Sequence, residues 1–273
     1  NLIMNDVLIK QFQKREAWRK RKKIIIAVFP AVLLFLIIVI AIVAGQPAPT
    51  CFDGKKNGGE EGVDCGGPCT SCGVKYAASL EIVSSDILSI GANASELAIR
   101  VRNSNADYGA HFSYQINVIS LLGAKVSSYS GESFVLPHSE KYLIEPQVPF
   151  KAADLSRAEV IITETDWSAV NKSSFDLFEI YDKKARILEA TESGYLEVSG
   201  KISNKTSHDF PAVDLTFIVY SKTGRLLYAA KTEISNLKAN EIKNFVYNGF
   251  PYFPNFQEAD LNRIEYLAEA WPN

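Results

Sequence analysis

The sequence predicts a mainly β protein on one N-terminal transmembrane helix, with a small disulfide module next and two β-sandwiches after it. Three observations carry this expectation. Residues 24–44 hold no charge. All four cysteines fall between Cys51 and Cys72. From about Val74 onward, short runs rich in Val, Ile, Tyr and Phe alternate with turn residues, and no long amphipathic helical stretch interrupts them.

Length and charge set the frame. At 273 residues the chain has room for two ordinary domains. Its net charge of −2 is unevenly divided. Residues 1–23 carry Lys10, Lys14, Arg15, Arg19, Lys20, Arg21, Lys22 and Lys23 against Asp6 and Glu16, a balance of +6, and residues 45–273 carry −8. A basic end, an uncharged run and an acidic remainder point to the lipid bilayer and away from nucleic acid. The first residue is Asn, which points to a start at Met4 or to a truncated chain.

Ile24–Ala44 is 21 residues without a strongly polar group. About 20 helical residues cross a hydrocarbon core of roughly 30 Å. Helix is the form available there, because lipid offers no partner to a backbone N–H or C=O. Pro30 is expected to bend this helix without breaking it. Basic residues abut only the N-terminal flank, so residues 1–23 are expected in the cytoplasm and the bulk outside. The competing reading is a cleaved signal peptide. The run is longer than its usual apolar region, and Ile42-Val43-Ala44 is a poor cleavage site, which favours an uncleaved signal-anchor. Val7, Leu8, Ile9, Phe12 and Trp18 offer a second role for the tail, as a helix along the inner leaflet.

Residues 45–73 read as a short stiff stalk and a cysteine-rich module. Such a module has too few apolar residues for a core, so cross-links must hold it. An even cysteine count outside the cell implies two disulfides among Cys51, Cys65, Cys69 and Cys72, with three connectivities open. A four-thiolate zinc site competes, as does a redox role for Cys69-Thr70-Ser71-Cys72, although no βα pattern follows to support the latter. Asp53, Asn57, Glu60, Glu61 and Asp64 lie along a glycine-rich loop. Hard oxygens on a chain that can curl suit calcium, and the same residues also make plain tight turns. Cys51, Asp53, Gly54, Asn57, Gly58, Gly62, Asp64, Cys65, Gly66, Gly67, Cys69 and Cys72 match a C-x-D-G-x-x-N-G…D-C-G-G-x-C-x-x-C pattern. The segment resembles that motif of microbial surface and secreted proteins, which implies a cell-surface setting and no particular activity.

The rest divides into one unit twice: a sandwich over 74–167, a polar linker at 168–174 and a second sandwich over 175–273. Leu97–Asn103 aligns with Leu196–Asn204, and Ala153–Glu159 with Ala259–Glu265. Gly123 and Gly224 mark equivalent turns, and Trp167 and Trp271 close the two units. About 95 residues of short strands suit an immunoglobulin-like sandwich, two sheets burying their apolar faces on each other. No cysteine is left to join the sheets. The second unit resembles the FxLYD family of small extracytoplasmic β-sandwiches. Leu196–Asn204 stands for its v-x-G-x-v-x-N opening, Phe217-Ile218-Val219-Tyr220-Ser221 for F-x-L-Y-D, and Leu237–Phe245 for its ending. Val219 and Ser221 depart from the pattern. The first unit matches at Ile116–Ser120. The resemblance implies no catalytic residues.

No nucleophile elbow, H-E-x-x-H, P-loop or dinucleotide fingerprint occurs. His111, His138 and His208 are far apart in sequence and read as surface residues. Asn93, Asn171 and Asn204 fit the N-x-[ST] acceptor pattern for glycans. Aromatic residues from Phe245 to Trp271 include an irregular Pro-containing run, 248–256, that suits a binding loop or a cover for the sandwich. The expected function is non-enzymatic: a single-pass, surface-exposed protein that binds an envelope protein or surface polymer or supports an assembly. The alternative is an accessory subunit of a membrane secretion or pilus complex; a cell-wall enzyme with an unrecognised site is a third reading.

Overall fold

The uncharged run is helical, as its composition requires, but the helix begins well before it. Helix α1 spans Leu2–Ala44, 43 residues with Pro30 inside. Its portion Arg21–Ala44 is long and apolar enough to cross a membrane, and none of it is buried within the protein. A span uses about 20 residues, so the basic tail prolongs the same helix by a similar length. A tail folded along the inner leaflet would need a break near Lys23, and the backbone is helical through that point. One turn before the run, the Lys22 ammonium lies 3.9 Å from the Trp18 ring centroid, an i, i+4 cation–π pair.

The computed structural model describes residues 2–45, 48–170, 177–190, 193–249 and 256–271. It falls into two compact units, Asn1–Thr70 and Ser71–Asn273. In the first, the segment after the stalk is built of turns.

The second unit opens with α2 (Cys72–Lys75), a single turn whose Val74 N–H is capped by Ser71 Oγ at 3.3 Å. Six strands follow: β1 (Glu81–Ser89), β2 (Ser95–Asn103), β3 (Tyr108–Ser120), β4 (Lys125–Val135), β5 (Ser139–Val148) and β6 (Leu155–Ala169). Six more come after them: β7 (Phe178–Ala190), β8 (Ser193–Asn204), β9 (Phe210–Tyr220), β10 (Leu226–Leu237), β11 (Ile242–Asn248) and β12 (Glu265–Glu269). They form antiparallel sheets in the orders β1-β2-β5, β4-β3-β6, β11-β8-β7 and β10-β9-β12. Each strand of the second six takes the place of the strand six earlier, so the repeat read from the sequence is a repeat of topology.

Local chemistry repeats with it. In the β3–β4 turn, Gly123 N–H donates to Ser120 O at 2.9 Å and Ser120 N–H to Ala124 O at 2.9 Å. In the β9–β10 turn, Gly224 N–H donates to Ser221 O at 2.9 Å and Ser221 N–H to Arg225 O at 2.8 Å. Both glycines have left-handed φ, +80° and +86°, the geometry of a hairpin turn closed by a bulge. The third aligned segment is equivalent only in part. Glu159 faces Asn117 on β3 and Glu265 faces Ile218 on β9. At the start of the segment, however, Leu155 faces Ser120 while Ala259 bridges Ser221. The second repeat therefore holds two extra residues, taken up by the 3₁₀ turn Leu261–Arg263.

Within each repeat the two sheets enclose a core. Leu97, Ile99, Val101, Phe112, Ile116 and Val118 lead the first, and Val198, Ile202, Leu215, Phe217, Val219 and Phe245 the second. A third cluster lies between the repeats. Leu88, Ala98 and Tyr142, on the outer face of β1-β2-β5, pack on Ile218 and Ala229, on the outer face of β10-β9-β12. Four sheets thus stack in layers, and β2 and β9 are buried on both faces. Ala98 and Ala229, both 0% exposed, keep the side chains between the two middle sheets small.

The expected linker at 168–174 begins inside a strand: β6 runs to Ala169, with Ser168 opposite Gly109 and Ala169 opposite Tyr108. Its remainder from 171, and residues 250–255 of the aromatic run, lie outside the described residues.

Candidate functional site

All four cysteines are oxidised. Cys51 pairs with Cys69, Cα atoms 5.6 Å apart, and Cys65 and Cys72 are disulfide-bonded as well. That disposes of thiolate zinc and of a free C-x-x-C thiol. Glu60, buried, sits beside the Cys51–Cys69 sulfurs, with Oε1 3.3 Å from Cys69 Sγ. A disulfide sulfur has no proton to donate and is a poor cation ligand, so this grouping is a packing contact and not a metal site.

Of the five residues expected to hold calcium, three carboxylates accept hydrogen bonds within the loop, and Asn57 Oδ1 is buried without a hydrogen-bond partner. Asp64 accepts from Gly54 N–H at 2.9 Å. Asp53 accepts from Lys55 N–H and from the Asn57 amide, both at 2.9 Å. Glu60 Oε2 accepts from Asn57 N–H at 3.2 Å and Asp64 N–H at 3.1 Å. Glu61 is exposed. The carboxylates of Asp53, Glu60 and Asp64 satisfy amides of the loop, which has no sheet or helix to do so. The Asn57 amide, with backbone donors behind it, holds the Asp53 carboxyl below its ordinary value against the opposing effect of burial.

The glycan acceptors separate by burial. Asn93 is exposed in the β1–β2 loop. Asn171 lies outside the described residues. Asn204 is 1% exposed, and its amide donates to His208 O at 2.7 Å and Lys238 O at 2.9 Å. The fold leaves no room for a glycan on that nitrogen, which corrects the expectation for Asn204. Its equivalent in the first repeat, Asn103, does the same work, donating to Tyr108 O at 2.7 Å and Leu136 O at 3.1 Å.

The seam between the repeats gathers the buried charge. Lys141 on β5 is 1% exposed, and its ammonium lies 2.8 Å from Asp214 Oδ2 on β9 and 3.3 Å from Glu269 Oε2 on β12. The same ammonium stands 3.7 Å from the Phe134 ring centroid. Lys231 adds a second cation, 3.0 Å from Asp214 Oδ2. Burial alone would raise Asp214, but the two lysines outweigh it and hold this carboxyl below its ordinary value. At Glu269 burial wins and the carboxyl is pushed up. Beside the cluster, the Tyr142 and Tyr220 hydroxyls are 3.3 Å apart and Tyr220 donates to Glu265 Oε2 at 3.3 Å. Burial and the Tyr142 hydroxyl push the Tyr220 phenol up.

Cavities open along this seam. One of 610 Å³ is lined by Arg100, Glu140, Tyr142, Tyr220, Glu265 and Glu269 among others. A second, of 390 Å³, contains Glu96, Ile144, Lys231 and Tyr247. Sites between domains are a common place for ligands. His111, His138 and His208 are all exposed. Trp271, which by sequence closes the second repeat, instead packs on His111 and Phe134 of the first repeat, with ring centroids 4.0 Å and 5.8 Å away and the rings tilted or edge-on. Sequence reasoning missed the seam because nothing local marks it: β5 carries Glu140, Glu145 and Gln147 as well as Lys141, so no letter singles out the lysine that is buried.

No protein-family profile matches the chain, and no curated protein matches it. Solved structures similar in part include a Bacteroides uniformis beta-glucuronidase, at 16% identity and TM-score 0.22 over 58% of this chain. The chain spans 22% of that enzyme's length. Others are the calcium binding domain CBD12 of CALX1.1 (14% identity, TM-score 0.18, 56% of this chain and 72% of that one) and the CBM22-1-CBM22-2 tandem domain of Paenibacillus barcinonensis Xyn10C (9% identity, TM-score 0.16, 72% of this chain and 92% of that one). Likenesses this low carry no argument about function.

Proposed function

We propose that this is a membrane-anchored, extracytoplasmic protein of the cell envelope that binds a partner protein or surface polymer and is not an enzyme. In this reading α1 is an uncleaved signal-anchor with its basic end in the cytoplasm, and residues 45–273 lie outside. The observation that carries it is the seam: Lys141, Asp214 and Glu269 tie the two sandwiches into one body. A pair of sandwiches locked in this way offers a fixed surface and clefts that neither repeat has alone. The oxidised cysteines fit an outside location. Protease added to sealed cells should digest epitopes in residues 74–273 and spare one fused to the N-terminus. Crosslinking on intact cells should then recover an envelope component. A protected C-terminal part, or no crosslinked envelope partner, would sink the proposal.

The second reading, an accessory subunit of a membrane secretion or pilus complex, is favoured by the unbroken helix Leu2–Ala44, which presents a preformed surface on the basic side of the span. Exchanging residues 1–44 for an unrelated anchor separates the two. A binding protein keeps its partner after the exchange, and a complex subunit loses it.

A further inference from the structure

We propose that the cavity between β2, β5, β10 and β11 is a binding site for a primary alkylammonium group, such as a lysine side chain of a partner protein. It has 390 Å³ of space and is lined by Glu96, Ile144, Pro146, Lys231, Glu233 and Tyr247, among others. A register shift in β2 between Ser95 and Leu97 leaves Glu96 without a strand partner on β5 and frees it to reach the other repeat. There Glu96 Oε1 accepts from Ala229 N–H at 3.2 Å. Glu96 is only 3% exposed, and no other donor among the described residues reaches its carboxyl.

The charged neighbours are otherwise engaged. The Lys231 ammonium is 3.0 Å from Asp214 Oδ2. The Tyr247 and Tyr228 hydroxyls bind each other at 2.9 Å. On β5, Glu145 is not part of the lining. Glu233 adds negative charge to the lining. A carboxyl this deeply buried with a single protein donor is costly to ionise. An ammonium brings the opposite charge and three donors, and its methylene stem suits Ile144, Pro146 and the Tyr247 ring.

A neutral hydroxyl or carbonyl ligand would use the site differently, and pH separates the two. Burial pushes Glu96 up to about 8, against the opposing pull of the Ala229 N–H. An ammonium must displace the carboxyl proton, so its affinity should rise about tenfold per pH unit up to about 8 and then level. A neutral acceptor would take that proton as a hydrogen bond and bind more weakly as pH rises.

The inference rests on the binding role proposed above but fails separately from it, since topology and crosslinking are read without any amine. The test is calorimetric titration of the full chain in detergent micelles with Nα-acetyl-lysine methylamide at several pH values from 6 to 9, with the norleucine analogue as control. The lysine compound should bind, the control should not, and affinity should climb with pH. Glu96→Gln keeps the acceptor for Ala229 N–H and should abolish binding. Glu233→Gln, a milder change, should weaken it about two- to fivefold. Equal binding of the norleucine compound, affinity falling with pH, no binding at all, or Glu96→Gln binding like wild type would each overturn the proposal.

Discussion

The Lys141 ammonium and the Asp214 carboxylate, 2.8 Å apart, join a strand of the first repeat to a strand of the second beside the apolar contacts of Leu88, Ala98, Ile218 and Ala229. Lys141→Met should be among the most damaging single changes in the sandwiches. It removes the ammonium that faces both Asp214 and Glu269 and leaves Lys231 alone to compensate them. Breaking a buried pair in this way costs about 3–5 kcal/mol. The triple variant Lys141→Met, Asp214→Asn, Glu269→Gln should regain much of that, because no uncompensated charge is left buried. Guanidinium unfolding of the three proteins reads the order directly. A Lys141→Met midpoint equal to wild type would show that the cluster contributes nothing.

Asn103 and Asn204 should be interchangeable in effect and intolerant of change. Each buries an amide that donates to two carbonyls, and each Oδ1 accepts from the backbone N–H two residues on, Asn105 at 3.0 Å and Thr206 at 2.9 Å. Alanine leaves those carbonyls and that N–H without a partner. At about 1 kcal/mol or more per orphaned group, either substitution should cost roughly 2–4 kcal/mol. The same geometry predicts that, in a glycosylating host, Asn204→Gln leaves electrophoretic mobility unchanged, and any glycan is lost by changing another acceptor.

These two asparagines also show how far the sequence could be read. Their equivalence was visible from the alignment of Leu97–Asn103 with Leu196–Asn204, and the hairpin turns were visible because a left-handed residue there selects glycine. What the asparagine side chains do was not visible, because an N-x-T triplet has the same letters whether its amide is buried or exposed. The seam was hidden for a related reason. Leu97-Ala98-Ile99 and Phe217-Ile218-Val219 are apolar without alternation, and such a run does not say what lies on its second face. Trp271 resembled Trp167 by position, but it lies on His111 of the other repeat. Local pattern fixes an element and its inward face; contacts between the outward faces depend on how the repeats meet.

The cysteine module should depend on its cross-links and not on calcium. It has hardly any buried apolar surface, and the Cys51–Cys69 bond closes a loop with a separation of 18 residues. A loop of that length contributes about 3 kcal/mol through the unfolded chain. Mild reduction should therefore make residues 51–72 protease-sensitive while the far-ultraviolet signal of the strands persists. Calcium or a chelator should leave the cleavage pattern unchanged, since the carboxylates of Asp53, Glu60 and Asp64 already hold backbone amides. Calcium-dependent protection would show that these carboxylates release their amides to take up the ion.

Glu96 should make the sandwiches more stable on the acid side of neutrality. Its folded value is raised to about 8, from about 4.5 for an unburied glutamate. The folded state therefore holds a proton that the unfolded chain gives up above about 4.5. The stabilisation is fully present below about 4.5, falls by about 1.4 kcal/mol per pH unit above that, and is lost once pH passes about 8. Glu269, also raised by burial, acts in the same sense, while Asp214, held low, acts in the opposite one as pH falls. The comparison to make is therefore wild type against Glu96→Gln, in which those contributions cancel. Glutamine mimics the protonated acid at every pH. The variant should match wild type near pH 5 and exceed it increasingly up to pH 8, with thermal or denaturant midpoints as the measure. Parallel curves across that range would mean that Glu96 titrates as an exposed carboxylate does, and that it is not buried between the sheets.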